Sequence, residues 1–295
     1  MNYIIFDLEW NNAYDYKAKK GINEIIEIGA VKLDRNLNIT DTFKQLIKPK
    51  LSRKLSKRFV DLTSITQEEI NNNGIPFKDA ISDFARWAGD GALFMSWSNS
   101  DLYVLVSNYI RFFGTSYVPF IKYYTDVQKY CQQCADIQGR DQVSLAHCAE
   151  FLSISVDKDN LHRALEDCYI AAECFKSVFD KDKLKGFISE CDEDFFGRLA
   201  FKPFIITKPV SEHYNFYNEK FSCPACNEDM KQVGDVQLIN NSFRTVCTCK
   251  KCKKKFWAYA RIKKVYDGVS VAKRITRMSK NKYNKSCLLY TSPSP

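Results

Sequence analysis

Short runs of β-branched and aromatic residues, bounded by turn-forming residues, recur through the first half of the chain. We predict strands at residues 4–10, 25–33, 42–47, 92–97 and 123–125. Apolar residues at helical spacing alternate with the later strands and predict helices at 76–89, 101–113, 127–137, 144–152 and 163–179. Three strands followed by strands that alternate with helices indicate an α/β domain over residues 1–182, with a mixed five-stranded sheet flanked by helices.

The pattern changes after residue 182. Residues 183–219 have no clean period but hold many aromatic side chains, so we expect a connector that packs on a neighbouring module. β-rich segments within 220–262 predict a small second domain, and residues 263–286 form a predicted basic tail. Residues 287–295 resemble the translation of a sequencing adaptor, so we expect them to be non-native and leave them out of the fold prediction.

Charge is distributed unevenly along the 295 residues. Lys and Arg exceed Asp and Glu by 44 − 35 = 9, but residues 250–285 alone carry fourteen basic residues and one acid, a net charge of +13. The rest of the chain therefore has a net charge of 9 − 13 = −4. A near-neutral body with a basic end predicts a partner rich in phosphate groups; an ordinary solvated basic surface is the alternative.

The composition does not resemble that of membrane or secreted proteins. No run approaches the roughly eighteen apolar residues that a membrane span needs, so we expect no membrane partner. The first strand begins at once, which leads us to expect no secretory leader. The twelve cysteines are not spaced like a secreted disulfide framework. We therefore expect a cytoplasmic protein whose cysteines are free thiols or metal ligands.

Two carboxylates interrupt the first predicted strand. Asp7 and Glu9 lie two positions apart in the apolar run IIFDLEW, so on a strand they would point to the same face. Neighbouring like charges repel, and burial of an unpaired carboxylate is costly, unless a cation lies between them. A divalent metal ion is the obvious candidate. The alternative is a solvated strand end, because an Asp-x-Glu triplet is expected by chance in a chain of this length.

Two later segments supply further candidates. Asp101 follows a predicted strand at the start of a helix, where open α/β sheets bind ligands, although an N-cap aspartate is the commoner explanation of such a position. His162 and Asp167 are five positions apart, about 140° on a helix, so we expect His162 on the loop before the helix. Asp167 would then lie on the helix face against the sheet; an ordinary pair of surface residues is the alternative.

The combined motifs resemble those of a known family. The segments FDLEW, EIIEIGAVKLD, LTSIT, SWSNSDLYVL and HRALEDCYIAA follow the order and intervals of the DEDDh-type 3′–5′ exonucleases of the RNase H-like superfamily, over about residues 1–180. The FDLEWN start is most similar to KapD-like and histone-mRNA exonuclease-like members. The departures are mild: Ser64 and Ser98 stand where the family often has glycine, and neither change removes a functional group.

The resemblance implies a fold, a reaction and a set of site residues. The fold would be RNase H-like, and two Mg²⁺ or Mn²⁺ ions would be held by four carboxylates, Asp7, Glu9, Asp101 and Asp167. His162 would take the proton from the attacking water. The expected reaction is hydrolysis of single-stranded RNA or DNA from the 3′ end to nucleoside 5′-monophosphates. A non-catalytic nucleic-acid-binding or regulatory protein, or a proofreading-type subunit, is the alternative.

Four cysteines have the spacing of a zinc site. The pairs Cys223/Cys226 and Cys249/Cys252 form two C-x2-C knuckles separated by twenty-two residues, with β-rich flanks. Because four thiolates suit a tetrahedral Zn²⁺ ion, the segment predicts a small zinc ribbon that holds one zinc. The C-x2-C pair at residues 131–134 lies within a predicted helix without a second pair, so we expect idle thiols there.

The second knuckle continues into a stretch of interleaved basic and aromatic residues. Basic side chains can contact phosphates and aromatic rings can stack on bases, so this stretch predicts nucleic-acid binding. The candidate contacts are Lys253, Lys254, Lys255 and Trp257. Trp10, beside the first acids, could stack on a terminal base or fill the core. A ribbon that serves only as a structural staple, or that docks a protein partner, is the alternative.

Overall fold

Strands open the structure and helices follow, as the apolar pattern predicts. The computed structural model describes residues 1–52, 54–138, 142–155 and 163–278. Two units divide the chain, Met1–Ala200 and the residues from Phe201 onward, and each has its own apolar core. The division falls inside the predicted connector 183–219, so residues 183–200 belong to the first unit. The predicted adaptor-derived segment 287–295 lies outside the described residues.

A six-stranded mixed sheet forms the centre of the first unit. Its strands are β1 (Tyr3–Asp15), β2 (Lys20–Leu33), β3 (Ile39–Leu46), β4 (Leu93–Ser96), β5 (Tyr123–Asp126) and β6 (Ser189–Glu190), in the spatial order β3-β2-β1-β4-β5-β6. The first three strands form an antiparallel meander, while β4 runs parallel to β1 and β5 runs parallel to β4. All five predicted strands are present. The sixth, β6, is only two residues long, so it has no period that a sequence pattern could reveal.

Helices pack on both faces of this sheet. They are α1 (Lys57–Thr63), α2 (Gln67–Asn73), α3 (Phe77–Ala88), α4 (Ser100–Phe113), α5 (Val127–Cys134), α6 (Leu145–Phe151), α7 (Ala164–Ser177), α8 (Lys181–Lys185) and α9 (Glu193–Ala200). Side-chain caps start several of them; for example, Ser56 accepts from the N–H of Phe59 and Thr66 from that of Glu69. Within the described ranges, no helix is long and apolar enough to cross a membrane.

Alternation along β1 sends side chains into two cores. Ile4, Phe6 and Leu8 pack on one face of the sheet with residues of α3 and α4, whereas Tyr3 and Ile5 pack on the other face with α5, α6 and α7. The strand is therefore buried on both sides along its first half. A carboxylate in this half of β1 therefore lies next to buried apolar residues.

The backbones of β2 and α7 approach each other closely at Gly29. A Cβ atom added to Gly29 would lie 2.2 Å from the nitrogen of Leu165, so a larger residue fits only if the helix moves. The thiol of Cys168 also donates to the Gly29 carbonyl at 3.3 Å. Glycine at this position thus allows the first turns of α7 to pack directly on the sheet.

The second unit is a β-sheet; of the four predicted zinc ligands, Cys249 ends one of its strands and the other three lie in turns beside strands. Its strands are β7 (Phe204–Ile205), β8 (Phe221–Ser222), β9 (Asp229–Gln232), β10 (Gln237–Ile239), β11 (Ser242–Cys249), β12 (Lys255–Val265) and β13 (Gly268–Arg277). The spatial order is β13-β12-β11-β9-β8, with β10 paired to β11 and β7 paired to β12. Residues 263–286, predicted as a basic tail, begin inside this sheet, because β12 and β13 form an antiparallel hairpin.

Candidate active site

Three of the predicted acidic ligands converge on one point. Asp7 and Glu9 lie two positions apart on β1, and Asp167 lies in the first turn of α7. The ligand atoms of these three residues all lie within 4.8 Å of one another. Strand alternation places the first two side by side, and the direct packing of α7 on β2 brings the third to them. A β-bulge between Glu9 and Trp10 breaks the regular register directly after the pair.

Asp101 lies beside these acids and is not the N-cap of its helix. Asn99 holds the N-cap position of α4, and Asp101 lies inside the first turn. Its Oδ1 atom accepts a hydrogen bond from the backbone N–H of Leu8 at 3.1 Å, between the two acids of β1. The residue is only 3 % exposed. The hydrogen bond therefore ties α4 to β1 and excludes the capping explanation for this residue.

The four acids line one open cavity of about 450 Å³. Trp10, Arg58, Leu62 and Trp97 also contribute to its wall. Trp10 is half-buried and packs against the core cluster that includes α3 and α4. This position is compatible with both roles considered for Trp10, core packing and contact with a bound base. The cavity is large enough for a nucleotide-sized group and has a cation, Arg58, in its wall.

Burial and mutual repulsion raise the pKa values of the clustered carboxyls. Burial is the larger cause for Asp7, whose pKa lies well above its ordinary range, and the charges of Asp101, Glu9 and Asp167 raise this pKa further. Burial first and Asp167 next raise the pKa of Glu9 to about 8. Burial raises the pKa of Asp101 to about 7, although the Leu8 N–H opposes this shift. A bound multivalent cation would relieve this repulsion.

A buried ion pair anchors the start of α7. Glu27 of β2 is fully buried and accepts hydrogen bonds from Arg163 Nη2 at 2.8 Å, from Arg163 Nε at 3.3 Å and from the Ala164 N–H at 3.2 Å. Arg163 also donates to Glu69 at 3.1 Å, and the Lys44 ammonium lies 3.9 Å from Glu27. The pair fixes the end of α7 that lies nearest the acid cluster.

No sequence motif indicates this ion pair. Glu27 stands within the apolar run EIIEIGAV, and its partner Arg163 is 136 positions away in the chain. A carboxylate within an apolar strand indicates that it needs a cationic partner; this pattern is the same as that of Asp7. His162, the residue before Arg163 and the predicted general base, lies outside the described residues.

A known sequence family covers the part of the chain that holds the acid cluster. The sequence model of the RNase_T exonuclease family matches residues 4–175, more than half of the chain and the span that holds all four acids. The chain belongs to this exonuclease family. The resemblance inferred from the motifs is therefore confirmed, and residues 4–175 form an exonuclease domain.

Curated relatives match this exonuclease domain at moderate identity. The PolC-type DNA polymerase III of Clostridium perfringens is 31 % identical over 189 residues, which are 61 % of this chain and 11 % of that protein. The probable 3′–5′ exonuclease KapD of Bacillus subtilis is 28 % identical over 170 residues, which are 57 % of this chain and 78 % of KapD. The chain thus spans only about a tenth of the length of the polymerase relative.

Solved structures share the fold of the exonuclease domain. Cell-death related nuclease 4 gives a TM-score of 0.50 at 22 % identity, over 59 % of this chain and 62 % of its own. Exonuclease I gives a TM-score of 0.51 at 14 % identity, over 83 % of this chain and 55 % of its own. Identities this low establish the fold alone. The mixed sheet with helices on both faces is RNase H-like, as the resemblance implied.

Four thiols of the second unit meet at one point. The Sγ atoms of Cys223, Cys226, Cys249 and Cys252 all lie within 4.8 Å of one another. Two of the separations are 3.7 Å, between Cys223 and Cys252, and 3.5 Å, between Cys226 and Cys249. A tetrahedral zinc ion with bonds of about 2.3 Å holds its sulfur ligands about 3.8 Å apart, whereas a disulfide bond is about 2.05 Å long. The donor set fits zinc and is too widely spaced for disulfides.

Local hydrogen bonds favour the thiolate form of one predicted zinc ligand. Burial opposes ionisation of Cys249, but hydrogen bonds from the Cys252 N–H and the Cys226 thiol lower the pKa of Cys249 to about 6. The Cys252 N–H lies 3.4 Å from the Cys249 sulfur. Thiolates are the form that binds metal, so this knuckle is prepared for zinc near neutral pH.

The predicted nucleic-acid contacts of the second unit differ in exposure. Lys253, Lys254 and Lys255 are exposed, at the second knuckle and the start of β12. Trp257 is only 8 % exposed, and the guanidinium of Arg244 lies over its ring, 4.3 Å from the centroid. Direct stacking of a base on Trp257 stays a prediction, and it would require Arg244 to leave this ring face.

Proposed function

We propose that the chain is a divalent-metal-dependent 3′–5′ exonuclease that acts on single-stranded ends of RNA or DNA and releases nucleoside 5′-monophosphates. One observation carries the proposal: the ligand atoms of Asp7, Glu9 and Asp167 lie within 4.8 Å of one another, in a cavity that Asp101 also lines. Membership in the exonuclease family and the similarity to a probable 3′–5′ exonuclease support the same activity.

The chemistry of the acid cluster fits Mg²⁺ or Mn²⁺. Carboxylate oxygens are the ligands that these hard cations prefer, and four carboxylates in one cavity are enough to hold two ions. Bound ions would activate a water molecule and neutralise charge on the attacking and leaving oxygens of a phosphodiester. Asp7 and Glu9 would hold the ions from the sheet, and Asp101 and Asp167 from two helices. The position of each helix therefore decides the geometry of the site.

His162 is the proposed general base. An imidazole ordinarily titrates near pH 6.5, so its neutral form can accept the proton of an attacking water at physiological pH. The next residue, Arg163, is held by two hydrogen bonds to the buried Glu27. This contact anchors the chain directly beside the proposed base.

Catalysis is favoured over a purely binding role by the acids themselves. Desolvation and repulsion raise the pKa values of Asp7 and Glu9, which is a cost to the folded protein that binding alone does not require. For the second unit, the donor set supports one structural Zn²⁺ ion, held by the four clustered cysteines. Its basic residues at and after the second knuckle would hold the nucleic acid.

The proposal is tested with a 5′-end-labelled single-stranded oligonucleotide, offered as RNA and as DNA of one sequence. The full chain is assayed with Mg²⁺, with Mn²⁺ and without added divalent metal, and no chelator is used because a chelator would also remove zinc. We expect a ladder of products shortened from the 3′ end, formed only with metal, and release of nucleoside 5′-monophosphates. Cleavage of a circular single strand, or no hydrolysis with either metal, would contradict the proposal.

A further inference from the structure

The β-sheet of the second unit has two faces of different composition. On β12, Phe256, Ala258, Ala260 and Ile262 point into the apolar core. Successive strand residues point to opposite faces, so the alternate residues of β12 lie on the other side. They are Lys255, Trp257, Tyr259, Arg261 and Lys263. We call this side of strands β11, β12 and β13 the outer face.

Cross-strand register extends the outer face over all three strands. Tyr259 of β12 lies opposite Arg274 of β13 and opposite Arg244 of β11, so the three side chains form one row across the sheet. Arg261 and Arg274 are exposed, and Tyr259 is half-buried. Among the residues described in these three strands, no Asp or Glu is present. Every charged residue that these strands place on the outer face is therefore basic, and aromatic rings lie between the cations.

Two of the guanidinium groups lie directly over these rings. The Arg274 guanidinium carbon is 4.6 Å from the centroid of Tyr259, and that of Arg244 is 4.3 Å from the centroid of Trp257. Arg244 also donates from Nη2 to Gln237 Oε1 at 2.6 Å. Contact with a ring reduces the freedom of a guanidinium group, so both cations are held in place before any ligand arrives.

We propose that the outer face is the surface on which the second unit binds single-stranded nucleic acid. The choice of a single strand rests on the proposed exonuclease function. Arg261 and Arg274 would neutralise phosphates, while bases would stack on the planes of the Arg274 and Arg244 guanidinium groups, which cover Tyr259 and Trp257. Basic residues without acids, interleaved with rings, suit a polyanion that carries flat bases. Lys253 and Lys254, at the second knuckle, would then extend the outer face beyond Lys255, the first residue of β12.

A matched pair of double variants tests this surface. Arg261→Gln/Arg274→Gln removes two charges from the outer face, and Lys208→Gln/Lys220→Gln removes two from exposed positions of the same unit outside the three strands. Affinity for a fluorescein-labelled single-stranded oligonucleotide is measured by anisotropy at several salt concentrations. The measurements are made without added divalent metal and without chelator.

The outer-face variant should bind about tenfold more weakly at low salt, and its slope of log affinity against log salt should flatten by about 1.4, the value for two lost contacts to a single strand. The control variant should lose less than about threefold. Tyr259→Leu should weaken binding about tenfold with an unchanged slope, because it removes stacking and no charge, whereas Tyr259→Phe should bind like the wild type. Zinc content and far-ultraviolet circular dichroism verify that each variant is folded.

The outcomes separate this inference from the proposed function. Hydrolysis of a trinucleotide with Mg²⁺ should be the same in both double variants and in the wild type, because the four exonuclease acids belong to the first unit. Equal loss of affinity in the two double variants, or no loss in the outer-face variant, would overturn the outer face while leaving the exonuclease assignment intact. A wild-type chain that binds the strand but hydrolyses nothing would instead overturn the proposed function.

Discussion

Serine occupies two backbone positions at which glycine is the unstrained choice. Ser64, at the end of α1, has φ = 59°, and Ser98, before α4, has φ = 74°. Left-handed backbone costs a residue with a Cβ atom about 1 kcal/mol, whereas glycine adopts it without this cost. Ser98 recovers part of this cost, since its Oγ accepts from the N–H of Ser100 at 3.2 Å. Ser64 is exposed and has no comparable contact among the hydrogen bonds of the described residues.

Ser64→Gly should therefore stabilise the protein. We expect the free energy of unfolding to rise by about 0.5–1 kcal/mol, because glycine adopts the left-handed conformation without a steric cost. Denaturant unfolding measures the change, and Ser64→Ala is the control, since alanine keeps the Cβ atom. A Ser64→Gly protein no more stable than Ser64→Ala would contradict the assignment of strain to this residue.

His162→Ala tests the proposed general base. The rate of hydrolysis should fall about 10²–10⁴-fold, the usual contribution of a general base, while the Mg²⁺ dependence of the remaining activity stays close to that of the wild type. The pH–rate profile should lose its limb near the ordinary pKa of histidine. If the limb persists unchanged, another group takes the proton.

At the scale of elements, the site depends on how α7 is fixed to the sheet. Glu27→Gln removes the charge that holds Arg163, so the first turn of α7 should loosen. The carboxylate of Asp167 in this turn should then move away from the acids of β1. We expect a loss of about 1–3 kcal/mol in the free energy of unfolding, because Glu27 is fully buried and Arg163 is partly exposed. The Mg²⁺ concentration that gives half-maximal rate should rise several-fold at temperatures where the variant is fully folded.

Lys44→Gln is the matched control for the anchor. Lys44 also lies near Glu27, at 3.9 Å, but its side chain is 40 % exposed and its contact is long. Its loss should change stability by less than about 1 kcal/mol and leave the Mg²⁺ dependence unchanged. Should Glu27→Gln lower stability without any change in Mg²⁺ dependence, Glu27 supports the fold and does not position the site.

Helices and strands were predictable where the apolar pattern extends over many residues, and were missed where the element is nearly devoid of apolar residues or is rich in basic ones. The five predicted sheet strands and the helices that became α3 to α7 carry clear apolar patterns. α1 and α2 lack an apolar stripe, because Phe59 is the one buried apolar residue of α1 and Ile70 is the one apolar residue of α2. In β13 the alternating residues Val269, Val271 and Ile275 point inward, but the surrounding basic residues made the segment resemble a solvated tail. Non-local contacts such as Glu27–Arg163 leave almost no local signal.

For the whole molecule, the acid cluster makes metal-free stability depend on pH. Folded-state pKa values are raised, to about 8 for Glu9 and about 7 for Asp101, so the folded protein holds protons that the unfolded chain has lost. Stability from these groups is fully present below about pH 4 and is lost as pH rises through 7 and 8. Bound Mg²⁺ would replace the protons, so its stabilising effect should be larger at pH 8 than at pH 6.

Thermal unfolding at pH 6 and pH 8, with and without Mg²⁺, measures this linkage in the full chain. We expect the metal-free protein to lose roughly 5 °C between the two pH values and Mg²⁺ to restore most of the loss at pH 8. Arg35→Gln, an exposed change distant in sequence from the acids, should show the same difference as the wild type. Equal stabilisation by Mg²⁺ at both pH values would show that the carboxyls are already ionised.

Those parts of the candidate sites that depend on residues close together in the sequence were predictable. The pairing of Asp7 with Glu9 follows from strand alternation, and the cluster of four cysteines follows from knuckle spacing. By contrast, the contact of Asp101 with the Leu8 N–H could not be predicted, because it joins elements that only folding brings together. The contact of the Arg244 guanidinium with the Trp257 ring could not be predicted either, because it depends on the register of β11 and β12.

Hydrolysis by Asp7→Asn is the most direct test of the central claim, that the acid cluster holds the metals of an exonuclease. The variant keeps the shape of the side chain but removes a metal ligand and one of the repelling charges. The rate of removal of 3′ nucleotides from a single strand in saturating Mg²⁺ should fall on the order of 10³-fold or more, with the fold intact. An Asp7→Asn protein that hydrolyses the strand at the wild-type rate would contradict the account.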